Sequence, residues 1–222
     1  MPGTFITFEG GEGAGKSTQI RLLAEKLEAA GNDVVITREP GGSPGAEILR
    51  HLLLSGAAEA LGPSTEVAIF AAARLDHMQE TILPALNDGK IVLCDRFIDS
   101  TRAYQGGPQG ASDAEIRALE AISIAGRAPD LTLILDIAPE IGMARVQSRL
   151  ERKGGGEVAD RFEKDTLAIH AARRERFLTI ARQEARRCIV IDAAQDSDSV
   201  ADVIWSMVRS RLLERSAEPR RR

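Results

Sequence analysis

Two cysteines in 222 residues are too few to staple a fold, and Cys94 and Cys188 stand in apolar runs without C-x-x-C spacing. They read as small buried residues of a reducing compartment. His51, His77 and His170 lack metal-ligand spacing and read as surface or core histidines. No apolar run approaches the roughly 18 residues of a membrane span. The N-terminus has neither the charged nor the apolar region of a secretion signal. Basic charge is also scarce: 29 Lys and Arg against 33 Asp and Glu leave a net charge of −4. That balance argues against a dedicated nucleic-acid binder. Internal repeats and long low-complexity tracts are absent too. The expectation is one cytoplasmic domain over residues 1–215, followed by a disordered polar tail at 216–222.

What is present is an ordinary globular composition, 43% hydrophobic and 28% charged. Short apolar, β-branched runs at Phe5–Phe8, Val34–Thr37, Ile91–Cys94, Leu131–Leu135 and Ile189–Ile191 alternate with helical patterns. Near-continuous apolar strands of this kind predict a parallel sheet covered on both faces. Ile20, Leu23, Leu27 and Ala30 recur at helical spacing, and Gly31 supplies a stop. Later helices are expected over 43–54, 64–86, 113–125, 140–152, 160–186 and 197–213. Glu9, Asp95, Asp136 and Asp192 end strands, where open α/β sheets bind ligands.

Gly10-Gly11-Glu12-Gly13-Ala14-Gly15-Lys16-Ser17 fits G-x-x-x-x-G-K-[ST] between a strand and a helix. In that pattern backbone amides curl around phosphates, Lys16 reaches the β- and γ-phosphates, and Ser17 holds Mg²⁺. Residues Gly10 through Thr18 are therefore the expected ATP-binding segment. No N-K-x-D guanine-reading motif occurs, which favours a kinase over a GTP switch. Arg38 ends the second strand before Glu39-Pro40-Gly41-Gly42-Ser43, where a guanidinium fork suits phosphate; alone, it also fits a surface loop. Asp95 ends the third strand in a Walker-B-like position, suited to a water of the magnesium shell, and Arg96 could bridge two phosphates. Between Arg145 and Arg187 stand twelve Lys or Arg against seven Asp or Glu, a solvated helical surface or a polyanion-facing one. Gly154-Gly155-Gly156 interrupts this stretch and reads as a mobile lid loop, about 149–163.

These elements and Phe70-Ala71-Ala72-Ala73-Arg74, Ser100-Thr101-Arg102-Ala103-Tyr104-Gln105-Gly106-Gly107, Pro129-Asp130-Leu131 and Asp160-Arg161-Phe162-Glu163 follow one another in a fixed order. The ordered set resembles the thymidylate kinase (dTMP kinase) family, bacterial type, to about Leu213. The resemblance implies a nucleoside-monophosphate-kinase-like three-layer α/β sandwich with a five-stranded parallel sheet and a lid. It implies transfer of the γ-phosphate of ATP to dTMP, giving dTDP and ADP for dTTP synthesis, with Mg²⁺ and a homodimer packed through the 64–86 helix. Arg38 and Arg96 then hold the dTMP phosphate, Phe70 stacks on thymine, and Arg74 donates to a thymine carbonyl. Thr101 meets the base edge, Tyr104 sits below the sugar, and Gln105 joins the acceptor set. Standing alone, Phe70 fits a core aromatic. Glu12 is directed toward the sugar 3′-hydroxyl and its network. Since Gly11 to Ala14 carry no arginine, the resemblance places the catalytic cation in the lid, best at Arg149. Arg145 packs on adenine or helps hold phosphate. The Arg152-Lys153-Gly154-Gly155-Gly156 run lengthens the lid relative to shorter relatives, so Arg152 and Arg161 compete for Arg149's role. Ser43 replaces the common threonine of Arg-Glu-Pro-Gly-Gly.

Overall fold

A computed structural model describes residues 3–108, 110–152 and 162–217. Strands β1 (Thr4–Glu9), β2 (Val34–Arg38), β3 (Ile91–Asp95), β4 (Leu131–Asp136) and β5 (Cys188–Asp192) form one sheet in the order β2-β3-β1-β4-β5. Every pairing is parallel. Side chains alternate across a strand, and here both faces are buried. Ile6 and Phe8 of β1 and Leu93 of β3 pack under helices α1 (Lys16–Ala29) and α9 (Ser197–Ala217), with Ile20, Leu23, Leu27, Ile204 and Val208. Phe5, Val92 and Cys94 point to the opposite face, against Met78, Ile82 and Phe97.

The register lines up the strand ends that matter. Phe8 and Arg38 both stand opposite Asp95, so the carboxyl ends of β1, β2 and β3 form one edge. Helix α1 closes as expected at Gly31, which has φ 84° and, with Asn32, donates back to Glu28 and Leu27 carbonyls. This satisfies the last carbonyls in a left-handed cap. Ala30 itself is exposed; Ala24 takes the place in the core that periodicity assigned to it.

Helices α2 (Pro44–Leu54), α3 (Pro63–His77) and α4 (Leu83–Asn87) cover the β2–β3 side, and a short 3-10 turn at Glu59–Leu61 joins α2 to α3. The expected 64–86 helix is real but contains a π turn at Met78–Ile82. Pro84 lies just beyond it; a proline has no N–H to give four residues back and crowds that carbonyl, which a wider turn relieves. Helix α5 (Ile98–Tyr104) was not anticipated, because seven residues are too few for a periodic signal. Helix α6 (Asp113–Ser123) begins in a Ser112–Glu115 capping box. Helix α7 spans Pro139–Arg152.

The helix expected over 160–186 begins later, as α8 at Leu167–Gln183, because Thr166 is extended and its side chain caps Ile169 N. Phe162–Lys164 forms a 3-10 turn before it. Gly154–Gly156, Asp160 and Arg161 lie outside the described residues, as do 218–222 of the expected tail; Ser216 and Ala217 belong to α9. Among the described residues no helix is long and apolar enough to cross a membrane.

Candidate active site

The carboxyl edge opens into a cleft of about 980 Å³ between the loop 10–15, α3, α5, α7 and the loop after β5. Its size suits one or two small ligands. Gly13 must be glycine: its φ is 68°, and a Cβ would lie 2.0 Å from the Gly142 carbonyl oxygen of α7. A Cβ on Gly142 would in turn lie 2.3 Å from the Glu12 carbonyl oxygen. The two glycines press α7 directly onto the loop. No side chain caps the Gly15 end of α1. Amides of a first helical turn have no partner within the helix and favour an anion.

Lys16 Nζ donates to Gly10 O at 3.1 Å and Gly11 O at 3.0 Å, so the loop's own carbonyls aim it. Burial and the nearby Arg96 lower its pKa despite Asp95, Glu12 and Glu9. Ser17 Oγ donates to Asp95 Oδ2 at 2.8 Å, while the buried Asp95 Oδ1 has no hydrogen-bond partner among the described residues. Two hard oxygen donors, one unsatisfied, fit a hydrated Mg²⁺. No group of three or more His, Cys, Asp or Glu that could hold a metal occurs among the described residues.

Arg96 occupies a backbone position that few non-glycine residues adopt, φ 68°, and this turn throws its side chain back across the loop. Its Nη2 meets Glu12 Oε1 at 2.6 Å, and its Nη1 reaches Gly10 O at 3.3 Å and Ser100 Oγ at 3.2 Å. Tyr104 Oη donates to the same Glu12 oxygen at 2.8 Å. Burial alone would raise the Glu12 pKa, but Arg96, Lys16 and the tyrosine hold it down at about 2. Glu12 is thus an anion that fixes Arg96 and Tyr104. Burial pushes Tyr104 far above a normal phenol, so it stays a neutral donor.

Arg74 is buried on α3. Its Nε bonds Glu39 Oε2 at 2.8 Å and its Nη2 bonds Thr101 Oγ1 at 2.9 Å. Glu39 Oε1 also meets His77 Nδ1 at 3.2 Å, and His77 Nε2 lies 2.6 Å from Thr37 Oγ1. Phe70 is buried with Leu53 and Ala58, near Phe162, and still lines the cleft; core packing and ligand contact coexist there. Gln105 lines it too, while its amide donates to Glu66 at 3.0 Å. Arg38, 56% exposed, pairs with Glu47 at 3.1 Å.

On α7, Arg145 donates to Ala193 O at 3.0 Å, Arg149 meets Glu163 at 2.5 Å and Arg152 donates to Ser148 O at 3.1 Å. All three line the cleft.

The cleft thus gathers Glu12 through Thr18, Arg38, Phe70, Arg74, Asp95, Arg96, Thr101, Tyr104, Gln105, Arg145 and Arg149. Gly10 and Gly11 do not line it; they border a separate cavity of about 20 Å³ behind the loop. Of the four strand-end acids only Asp95 faces the cleft. Glu9 is buried, accepting from Phe97 N and Ser100 Oγ at 2.8 and 2.6 Å, and burial beside Asp99 raises its pKa to about 8. Asp136 is taken by a bidentate Arg174, and Asp192 caps its own turn through Ala194 N. Sequence reasoning missed Glu39, whose partners Arg74 and His77 lie far along the chain, Arg50, and the wall after β5 at Gln195, Asp196 and Ser197. Gly142, a glycine inside a helical pattern, was a signal that could have located the contact between α7 and the loop.

A family model described as thymidylate kinase matches residues 8–204. A thymidylate kinase of Bradyrhizobium sp. (strain ORS 278) is 52% identical over 210 residues, covering 95% of this chain and 91% of that protein. The Bradyrhizobium diazoefficiens thymidylate kinase is 54% identical over 211 residues, with the same coverage. The crystal structure of thymidylate kinase from Ehrlichia chaffeensis superposes with a TM-score of 0.72 at 35% identity, covering 94% of this chain and 99% of that one. With the loop, the strand-end arginines and the fold all in agreement, this chain belongs to the thymidylate kinase family.

Proposed function

We infer that the chain transfers the γ-phosphate of ATP to dTMP, giving ADP and dTDP in dTTP biosynthesis. The observation that carries this reading is one cleft holding Lys16 beside a bonded Arg96–Glu12–Tyr104 group, with Phe70 and Arg74 on the acceptor side. The attacking phosphate oxygen is already an anion, so no strong general base is required. Catalysis rests on positioning and on neutralising charge. The loop amides and Lys16 hold the donor phosphates. Ser17 and Asp95 are the residues that would hold Mg²⁺, which when bound neutralises phosphate charge.

In this reading Arg96, bonded to Glu12, bridges donor and acceptor phosphates, with Arg38 on the acceptor side. Phe70 offers a face to the base, and Arg74, oriented by Glu39 and Thr101, offers a donor to its edge. Arg149 supplies the cation for the transferring group, and Arg145 lies by the wall after β5 where adenine would rest. The two cysteines are free and buried, in keeping with a cytoplasmic setting.

A homodimer is supported by α3 and its neighbour α2: Ala68 and Ala72 are exposed, and Ile48 is 72% exposed. The test of the activity is an acceptor panel, measuring ADP formation with each nucleoside monophosphate. Rapid turnover confined to dTMP supports the reading; ATP binding without acceptor-dependent turnover overturns it in favour of a nucleotide switch.

A further inference from the structure

Tyr104 does not stand on α5 alone. Helix α8 backs it: Phe177 meets its ring edge-on at 6.2 Å, and Arg176 Nη1 donates to Ala103 O at 2.9 Å. One turn earlier on α8, Arg173 sets its guanidinium 4.3 Å from the Tyr104 centroid, while Arg96 lies over the same ring at 4.8 Å. Arg173 is only 7% exposed. Its Nη2 bonds Asp165 at 2.6 Å, and its Nη1 has no hydrogen-bond partner among the described residues. A desolvated guanidinium with an unsatisfied edge depends on its aromatic face for stabilisation.

The other aromatic in reach is Phe162, 5.5 Å from Arg173 and edge-on to Tyr104 at 5.4 Å. Phe162 and Glu163 line the cleft, and Glu163 pairs with Arg149 on α7. The turn Phe162–Asp165 therefore touches α7 through Glu163, α5 through Phe162 and α8 through Asp165.

We propose that Arg173 is a positioning residue for acceptor recognition: it ties the turn Phe162–Asp165 to the Tyr104 ring and so fixes the surface offered to the acceptor's sugar. Arg173 does not touch the reacting atoms; it acts through Tyr104. The inference rests on the reading of Tyr104 as the residue below the sugar. With two guanidiniums against the ring and its hydroxyl held by Glu12, an added 2′-hydroxyl on the acceptor meets a ring that cannot tilt away. Without Arg173, the ring loses one of its two guanidinium contacts and the turn loses its tie.

The test compares kcat/KM for dTMP and for ribothymidine 5′-monophosphate in wild type, Tyr104→Ala, Arg173→Met, Arg173→Lys, Asp165→Asn and the Tyr104→Ala/Arg173→Met double variant. A cation–π contact corresponds to roughly a tenfold effect, rising to about thirtyfold when fully desolvated. Arg173→Met is expected to shrink the deoxy-over-ribo preference about tenfold and raise KM for dTMP, with KM for ATP unchanged. Arg173→Lys, which keeps charge and length but not the plane, should fail to restore the preference. Asp165→Asn should show the same shift, smaller. The double variant should be no worse in preference than Tyr104→Ala alone.

A wild-type preference in Arg173→Met, whatever its Tm, overturns the inference, as does full additivity in the double variant. Should Arg173→Met not fold, an unaltered preference in Arg173→Lys overturns it equally. If Tyr104→Ala itself keeps the wild-type preference, the sugar-side reading of Tyr104 fails and Arg173's part in it falls with it. A loss seen in Arg173→Met but not in Tyr104→Ala would be the mark of that separate failure.

Discussion

Arg96 and Arg149 both line the cleft, yet they are held in opposite ways. Arg96, 17% exposed on the strand-end side, makes bonds to Glu12, Gly10 O and Ser100, and its backbone is in a rare conformation. Arg149, on α7, is 43% exposed and pairs with Glu163. Its partner Glu163 is only 8% exposed. One cation is tied into the loop at the strand ends, and the other stands more exposed on a helix. Phosphoryl transfer needs both kinds: a rigid floor that aligns oxygens, and a cation that can arrive after the nucleotides.

The sharpest break of that contrast is at the floor. Lys16→Ala should reduce turnover by roughly 10³-fold or more, if its ammonium neutralises the phosphates as proposed. Its bonds are to loop carbonyls, so the sheet should stay folded. Rapid-quench kinetics with circular dichroism checks both halves; near-normal activity in a folded variant would remove the ATP-site assignment.

On the other side, Arg149→Ala should lower kcat by about 10²–10³-fold, in the range of a supplied arginine, with little change in nucleotide dissociation constants or Tm. Single-turnover measurements on Arg149→Ala, Arg152→Ala and Arg161→Ala would identify the cation. If all three transfer phosphate at the wild-type rate, Arg96 and Lys16 suffice.

Gly142→Ala attacks the joint between the two regions. The new Cβ would sit 2.3 Å from Glu12 O, a backbone atom, so α7 must shift away from the loop. Rates are exquisitely dependent on placement, and a displacement of about 1 Å can cost on the order of 10²-fold. We expect kcat to fall about tenfold to a hundredfold while ATP affinity changes less; a wild-type kcat would show that α7 need not touch the loop.

Phe70→Ala separates ligand contact from packing on the acceptor wall. Loss of base stacking should weaken dTMP about tenfold and leave ATP unaffected. An equal loss for both substrates, with the roughly 3–5 kcal/mol penalty of a large core truncation, would mark Phe70 as structural only.

The smallest effect concerns Glu9, under the floor. Its folded pKa, near 8, lies above the 4.5 of an ordinary glutamate. A raised carboxyl pKa means the folded protein binds the proton more tightly. Its contribution is therefore complete below about pH 4.5 and is lost progressively as pH rises through 8. Tm measured from pH 5 to 9 should decline in wild type and flatten in Glu9→Gln; parallel curves would refute the assignment of that slope to Glu9.

The strands, the phosphate-binding loop and the ordered family motifs were legible because each is a local pattern. A run of β-branched residues buries both faces without reference to its partners, and G-x-x-x-x-G-K-S closes its turn within eight residues. The 64–86 helix was legible as well, though not its π turn, whose cause is the single Pro84. The start of α8 was placed too early because Thr166 is extended and caps the helix at Leu167. Helix α5 escaped notice despite carrying Thr101 and Tyr104, since seven residues show no period.

By itself, then, the sequence determined the chemistry available: which residues can bind phosphate, where strands end, and that no arginine stands in the loop. Only the tertiary structure decided which of them meet. It sent Asp95 to the cleft while Glu9 was buried and Asp136 was given to Arg174, although all three end strands alike. It drew Arg173, one of many arginines in a basic stretch, onto Tyr104, 69 positions away. The reason is physical: local pattern sets backbone conformation, but a charged side chain's partner is set by who shares its desolvated space, and that is a property of the packed fold.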